Sequence, residues 1–295
     1  MTQRCAFVAI VGRPNVGKST LLNRILGQKI SITSRKPQTT RYQILGIDTV
    51  DETQLIFVDT PGWQRRPRFE INRLMNRQVR QALFDVDCAV QVIDARGWHA
   101  DDDLVYTMLK QAQVPALLAM NKHDLVKSKS DLLPQIAALS NSTPFEAFVP
   151  VCAKNGKGVE DLRRVIVEIA PNREHVFPAS QLTDRSERFM AGEIIREKSM
   201  RYLGDELPYR TTVIIDEFRD VDEITHIHAT VWVDRDSQKS IVIGKNGALL
   251  KRISTDARCE LERLLGKRVY LKIWVKTKRG WIDNPEALQL IGLTD

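Results

Sequence analysis

Gly12-Arg13-Pro14-Asn15-Val16-Gly17-Lys18-Ser19 decides how this chain of 295 residues is read. It fills every fixed position of the pattern G-x-x-x-x-G-K-[ST]. Cys5 to Val11 precedes it as a short apolar run suited to a buried strand. Ser19 to Leu26 follows, with Thr20 just inside and apolar residues at helical spacing. Strand, glycine loop and helix start are the context this pattern needs. The glycines let several backbone N–H groups point at one phosphate chain. The helix N-terminus adds partial positive charge. Lys18 is then placed for β- and γ-phosphates and Ser19 for Mg²⁺.

The length allows about two domains at ~150 residues each. With 43% hydrophobic and 27% charged residues, the composition is that of a globular protein rather than a disordered or fibrous one. No apolar run approaches the ~20 residues of a membrane span. Met1 to Cys5 enters the first strand directly, so no signal peptide is expected. Four cysteines, Cys5, Cys88, Cys152 and Cys259, form no C-x-x-C pair, which argues against zinc and disulfides and fits a reducing cytoplasm. The net charge of +7 is unevenly spread. Lys239 to Trp281 holds 12 Lys/Arg against 3 Asp/Glu, whereas Leu203 to Gln238 holds 3 against 9. That split suits one face for a polyanion and another kept from it, or an ordinary solvated surface.

Beyond the glycine loop, Gln28 to Arg41 is polar and basic and reads as a mobile loop. Gln43–Ile47 and Gln54–Val58 read as strands. The second delivers Asp59-Thr60-Pro61-Gly62, a D-x-x-G whose Asp59 suits Mg²⁺ and whose Gly62 N–H suits a γ-phosphate. Arg68 to Phe84 is helical in spacing, Ala89–Asp94 a strand, and Ala100 to Gln113 a helix. The strand Val114–Met120 delivers Asn121-Lys122-His123-Asp124. In this N-K-x-D, the Asp124 carboxylate can accept from both N1–H and the amino group of guanine, a donor pair adenine lacks. Phe148–Val151 is the last strand, then Cys152-Ala153-Lys154 and a helix from Val159 to Ile169. The alternation predicts an α/β domain with a mainly parallel sheet and its ligand loops at the strands' carboxyl ends. The residue after D-x-x-G, where a water-orienting glutamine is best known, is Trp63. Any nucleotide hydrolysis at this site is therefore expected to be slow unless stimulated.

Residues 1–173 are read as one domain, 174–183 as a proline-containing linker, and 184–295 as a second domain. A helix from Asp184 to Leu203 and strands Thr211–Phe218 and Ile224–Val233 lead to Ser240–Ile243. Then come Gly244-Lys245-Asn246-Gly247, a basic amphipathic helix to Leu265, and a strand Val269–Thr277. A G-x-x-G between helices, in the order helix–strand–strand–helix–helix–strand, is the signature of an α+β KH type II RNA-binding module. Its candidate contacts are Ile243, Gly244, Lys245, Asn246, Gly247, Lys251 and Arg252, with Lys272 nearby. His226 and His228 share one side of their strand and are either RNA contacts or ordinary surface histidines. Trp274 and Trp281 are read as packing residues.

The first domain resembles the translation-factor class of small GTPases, and more closely the Era family, in GRPNVGKS, KPQTTR, DTPG and NKHD. Asp205-Glu206-Leu207-Pro208-Tyr209 and the KH module extend the likeness over the whole chain. The resemblance implies GTP/GDP and Mg²⁺ as ligands, with Ser19, Thr40 and Asp59 at the metal and Thr39 as the alternative to Thr40. It implies Lys18, Thr40, Asn15 and Gly62 in catalysis. Gly12, Val16, Gly17, Thr20, Asn121, Lys122, Asp124, Cys152, Ala153 and Lys154 complete the nucleotide site. The fifth loop usually reads Ser-Ala; Cys152 is near-isosteric with Ser, so guanine binding is expected to survive. Related GTPases lacking the glutamine hold K⁺ on the residue equivalent to Asn15, whose other reading is a loop-stabilising hydrogen bond. The family further implies binding near the 3′ end of 16S-type ribosomal RNA, action in small-subunit maturation, a cytoplasmic place and peripheral membrane association. No DNA partner is expected. The alternative is a KH adaptor whose nucleotide is mainly structural.

Overall fold

The computed structural model describes residues 3–126, 132–204 and 206–293. The chain divides into two compact units. One comprises Met1–Thr33, Thr40–Arg68 and Asn72–Asp184; the other Ser34–Thr39, Phe69–Ile71 and Arg185–Asp295. Among the described residues no helix is long and apolar enough to cross a membrane.

In the first unit the order is β1 (Arg4–Val11), α1 (Lys18–Ile25), β2 (Ile44–Val50), β3 (Thr53–Asp59), α2 (Glu70–Ala82) and β4 (Cys88–Asp94). Then follow α3 (Ala100–Ala112), β5 (Ala116–Asn121), α4 (Leu132–Ser142), β6 (Ala147–Val151) and α5 (Val159–Ile169). The six strands lie in the order β2-β3-β1-β4-β5-β6. Every pairing is parallel except β2 with β3, which a tight turn at Asp51 and Glu52 joins as a hairpin. Parallel neighbours need helical crossovers, and those put helices on the sheet faces. Hence β4 and β5 are buried along their whole length. Within this unit α2 buries Met75, Val79 and Ala82 at i, i+4 and i+7. Burial of Met75 or Val79 contributes about 1.5–3 kcal/mol.

Two helices escaped the sequence reading. In α4, Pro134 sits in the first turn, where its missing N–H costs little, but it obscures the pattern. The other, α9 (Pro285–Leu290), is only six residues long and is capped by the Asn284 side chain, which accepts from Ala287 N at 2.9 Å. The segment read as a linker is tied along the hairpin. Gln54 Oε1 accepts from Val176 N and Phe177 N, Gln54 Nε2 donates to Phe177 O, and Ile47 N donates to Leu182 O. The loop 28–41 contains neither helix nor strand, yet it is fixed at Ser31. The Asn23 side chain accepts from Ile30 N and Ser31 N and donates to Ser31 O.

The second unit holds α6 (Glu187–Tyr202), β7 (Thr211–Val221), β8 (Ile224–Val233), α7 (Asp236–Ile243), α8 (Ala248–Leu265), β9 (Arg268–Thr277) and α9. Its sheet is β7-β8-β9, with β7 antiparallel and β9 parallel to β8. Ile194 and Ile195 of α6 and Ala257 and Leu261 of α8 pack on Ile227 and Ala229 of β8. Strand alternation then sends His226 and His228 to the opposite face.

Gly158 caps α5 at φ +74, and a Cβ there would lie 2.1 Å from Pro150 O of β6. Gly158→Ala combines left-handed strain with a backbone collision, so it should cost about 2–4 kcal/mol. Urea unfolding measures it; an unchanged midpoint would show that the β6–α5 turn can open freely.

Candidate nucleotide and RNA sites

The carboxyl ends of β1, β3, β5 and β6 bring together the loops that the motifs identify. At Gly12 a Cβ would sit 2.4 Å from Val92 O of β4, so only glycine lets the loop start there. At Gly17, φ +102, a Cβ would sit 2.3 Å from the Asn121 amide nitrogen. That nitrogen instead passes over the loop and donates to Val16 O at 2.7 Å. No side chain caps the first turn of α1, where Ser19 and Thr20 lie, so its N–H groups keep their donor capacity for an anion. Lys18 is buried, and its ammonium donates to Gly12 O at 3.0 Å and Arg13 O at 3.2 Å. Burial pulls its pKa down to about 8 despite the nearby Asp59 carboxylate. A buried cation held by carbonyls is short of anionic oxygen, which a polyphosphate supplies.

Ser19 Oγ donates to Asp59 Oδ2 at 2.7 Å and lies 2.8 Å from Thr40 Oγ1. Ser31 Oγ donates to the same Oδ2 at 2.8 Å. Asp59 Oδ1 is buried without any partner. Burial raises the Asp59 pKa, against the hydrogen bond from Ser19. A carboxylate oxygen left bare beside two hydroxyls fits a hard divalent cation and its waters, so the residues present suit Mg²⁺. Thr39 turns its hydroxyl to Lys36 O at 2.7 Å, which leaves Thr40 as the threonine at Ser19. Ser31 was missed by the sequence reading, since one serine in a polar loop carries no signal. Gly62 fits against the phosphate loop, where a Cβ would meet Pro14 at 3.0 Å.

Asn121 joins three loops. Beyond Val16, its Oδ1 accepts from Lys122 N at 2.8 Å and Ala153 N at 3.0 Å. The Ala153 N–H is thereby engaged in buttressing. Lys122 reaches back to Asn15 O at 2.8 Å and Asp94 at 3.1 Å. Asp124 is exposed at the rim, and the buried Cys152 thiol donates to its Oδ1 at 3.0 Å. That bond is the first cause holding the Asp124 carboxyl below its usual value. A serine hydroxyl at this position has the donor to make the same bond. Arg24 of α1, also missed, donates to Ala153 O and Lys154 O and fixes the loop.

Trp63 packs on the cluster that includes Val79, Leu83 and Val105, with the Arg80 guanidinium 5.2 Å from its ring. It is partly buried, its indole N–H is buried without a partner, and as a donor only it has no acceptor for a proton of the attacking water. Asn15 is exposed at φ +64; only its backbone oxygen is engaged, so its side chain does not supply the loop-stabilising bond considered above.

In the second unit, Gly244 (φ +72) and Gly247 (φ +75) turn the chain between α7 and α8. A Cβ at Gly244 would meet that of Leu249 at 2.7 Å, whereas at Gly247 it would enter open space. Ile243 is half-buried beside Val242, and Lys245, Asn246, Lys251 and Arg252 are exposed. Arg252 stacks over Tyr202 of α6 at 4.5 Å. Two expectations change. Lys272 alternates with Leu271 and Ile273, which face the helices, so it lies on the sheet's other face rather than beside the loop. Trp281 is fully buried and donates to Arg210 O, as a packing residue should, but Trp274 is 37% exposed.

Two family profiles match the chain, one described as a 50S ribosome-binding GTPase over residues 7–122 and one as a KH domain over residues 206–282. GTPase Era of Coxiella burnetii is 50% identical over 291 residues, covering 99% of this chain and 98% of the relative. GTPase Era of Ectopseudomonas mendocina is 49% identical over 292 residues, with coverage of 99% and 98%. Among solved structures, an Aquifex aeolicus Era variant bound to GDP and aluminium tetrafluoride matches with TM-score 0.96 and 37% identity, covering 99% of this chain and all of that one. An Era complex with Mg²⁺, the analogue GDPNP and nucleotides 1506–1542 of 16S ribosomal RNA matches equally well, with the same TM-score, identity and coverage.

The Cys152–Asp124 bond sets an ordered series. Cys152→Ser should leave GDP affinity within a few-fold, while Cys152→Ala, which removes the donor, should weaken it about five- to tenfold. Asp124→Asn should shift preference toward xanthine nucleotides, because an amide N–H meets the xanthine O2 acceptor. Equal GDP affinity in all three, with no gain for XDP, would remove Asp124 and Cys152 from base recognition.

Proposed function

The chain belongs to the Era family of GTPases, and on that premise we propose that it works as a GTP-driven switch on the 3′ region of 16S-type ribosomal RNA during small-subunit maturation in the cytoplasm. The observation that carries the nucleotide half is the buried pair Lys18 and Asp59, each lacking the counter-charge that Mg²⁺ and a triphosphate would supply. The KH module in the same chain supports the RNA half.

In this reading Asp124 and the Cys152 loop select guanine, and Asn121 locks that loop to the phosphate loop. Lys18 and the first turn of α1 neutralise charge on the β- and γ-phosphates. Ser19, Thr40 and Asp59 would hold Mg²⁺, which would supply positive charge beside the phosphates. Gly62 brings a backbone N–H toward the γ-phosphate, so hydrolysis to GDP and phosphate would move residues 59–63. Trp63 carries a donor but no acceptor for a proton of the attacking water, so positioned charge must carry the acceleration. The unengaged Asn15 side chain is the place for K⁺. On the RNA side, Gly244–Gly247 clamps about four nucleotides, with Lys245 and the N-terminus of α8 at the backbone.

Two outcomes are expected. Replacing K⁺ by Na⁺ should slow turnover several-fold, and Asn15→Ala should flatten the difference; equal rates in both salts would exclude a K⁺ site. Gly247→Asp adds a side chain and a negative charge where space is open, and Asp tolerates this backbone region, so the protein should fold. It should lose RNA binding and keep GTP binding. In the wild type, RNA should bind the GTP-analogue form more tightly than the GDP form by the factor with which RNA raises GTP affinity over that for GDP. Equal RNA affinities would favour the adaptor reading, in which the nucleotide is structural.

A further inference from the structure

The sheet of the second unit has a face that the nucleotide and KH-loop readings leave without a role. α6 and α8 cover one side of β7-β8-β9 through Ile227, Ala229 and Val269. On the other side, alternation aligns Tyr270, Lys272, Trp274 and Lys276 of β9 with His226, His228, Thr230 and Trp232 of β8 in that register. The rings form a connected array. His226 lies 5.2 Å from Tyr270 between ring centres, and His228 lies 6.1 Å from Tyr270 and 5.3 Å from Trp274 at 90°. The Lys272 ammonium sits 4.8 Å from the Trp274 ring centre. Tyr270 is 48% and Trp274 37% exposed.

Charge on this face favours an anion. Arg219, Arg268, Lys272 and Lys276 project to it and are exposed. The two acids there are already engaged. Glu217 pairs with His228 Nδ1 at 2.7 Å and with Arg219, and Asp216 accepts from Thr230 at 2.6 Å. Exposed aromatics flanked by cations on an open sheet are what single-stranded nucleic acid uses, bases stacking on rings while the backbone tracks the charges. Tyr270 and Trp274 are four residues apart, about 13 Å along the strand, so they offer separate stacking platforms.

We propose that this face, centred on Tyr270, Lys272 and Trp274, is a second binding surface for single-stranded RNA, distinct from the Gly244–Gly247 loop on the helical side. It extends the RNA half of the proposed function, but it rests on its own residues.

The test titrates the full-length protein with oligoribonucleotides of about four and about sixteen nucleotides drawn from the 3′ end of small-subunit RNA. Tyr270→Ala with Trp274→Ala should weaken the long RNA about tenfold and leave the short one unchanged. Lys272→Glu with Lys276→Glu should do the same and flatten the salt dependence by about 0.7 per lost phosphate contact. Trp274→Phe keeps a stacking ring and should stay near wild type. Ultraviolet crosslinking of the long RNA should join bases to Tyr270 or Trp274. Unchanged long-RNA affinity in both double variants, or crosslinks that avoid this face, would overturn the proposal and leave the face to a protein partner. Loss of the short RNA in the aromatic variant would equally overturn it, because the effect would then run through the loop. Gly247→Asp separates the two readings: if it spares both RNAs while the aromatic variant weakens the long one, the loop reading fails and this surface stands.

Discussion

One carboxamide holds the nucleotide site together. Asn121 gives its amide N–H to Val16 O and takes N–H groups from Lys122 and Ala153. Each of those partners belongs to a different loop, so a single side chain sets the spacing between the candidate phosphate loop and the candidate base-recognition loops. The close crossing also explains a glycine. Gly17 must lack a Cβ because the Asn121 amide occupies that space. Arg24 and the Cys152–Asp124 bond then hold the third loop from its far side.

Around that frame, the fold buries two charges it does not neutralise well. Lys18 and Asp59 are out of water, the one bound to carbonyls and the other with a bare oxygen. Burial moves both pKa values toward the neutral forms. Such groups cost stability in the empty protein. On the proposed reading, a Mg²⁺–nucleotide would supply both missing counter-charges together, so its binding would stabilise this unit. Preorganised groups of this kind favour charge developing during phosphoryl transfer without reorganisation.

The second unit separates its chemistry by face. Its helical side carries the glycine turn, kept sharp by the contact between Gly244 and Leu249. Its sheet side carries rings and cations. The side opposite α6 and α8 bears Trp274 and Tyr270, both exposed.

By itself the sequence determined the two-unit fold and the order along the sheet of the loops that carry the candidate nucleotide-site residues. Those features are local. A loop that wraps phosphate needs its glycines, lysine and serine within eight residues, and a buried parallel strand needs an unbroken apolar run. Strand alternation in Tyr270 to Lys276 was also legible, and it could have placed Lys272 and Trp274 together. What it could not say was which face the helices would cover. Only the tertiary structure decided that. It alone also showed Ser31 at Asp59, Thr40 rather than Thr39 at Ser19, Trp63 packed against the core, and Asn15 with an unengaged side chain. The physical reason is range: these facts depend on partners far apart in sequence, and no spacing rule along the chain encodes which distant groups packing will bring within hydrogen-bonding distance.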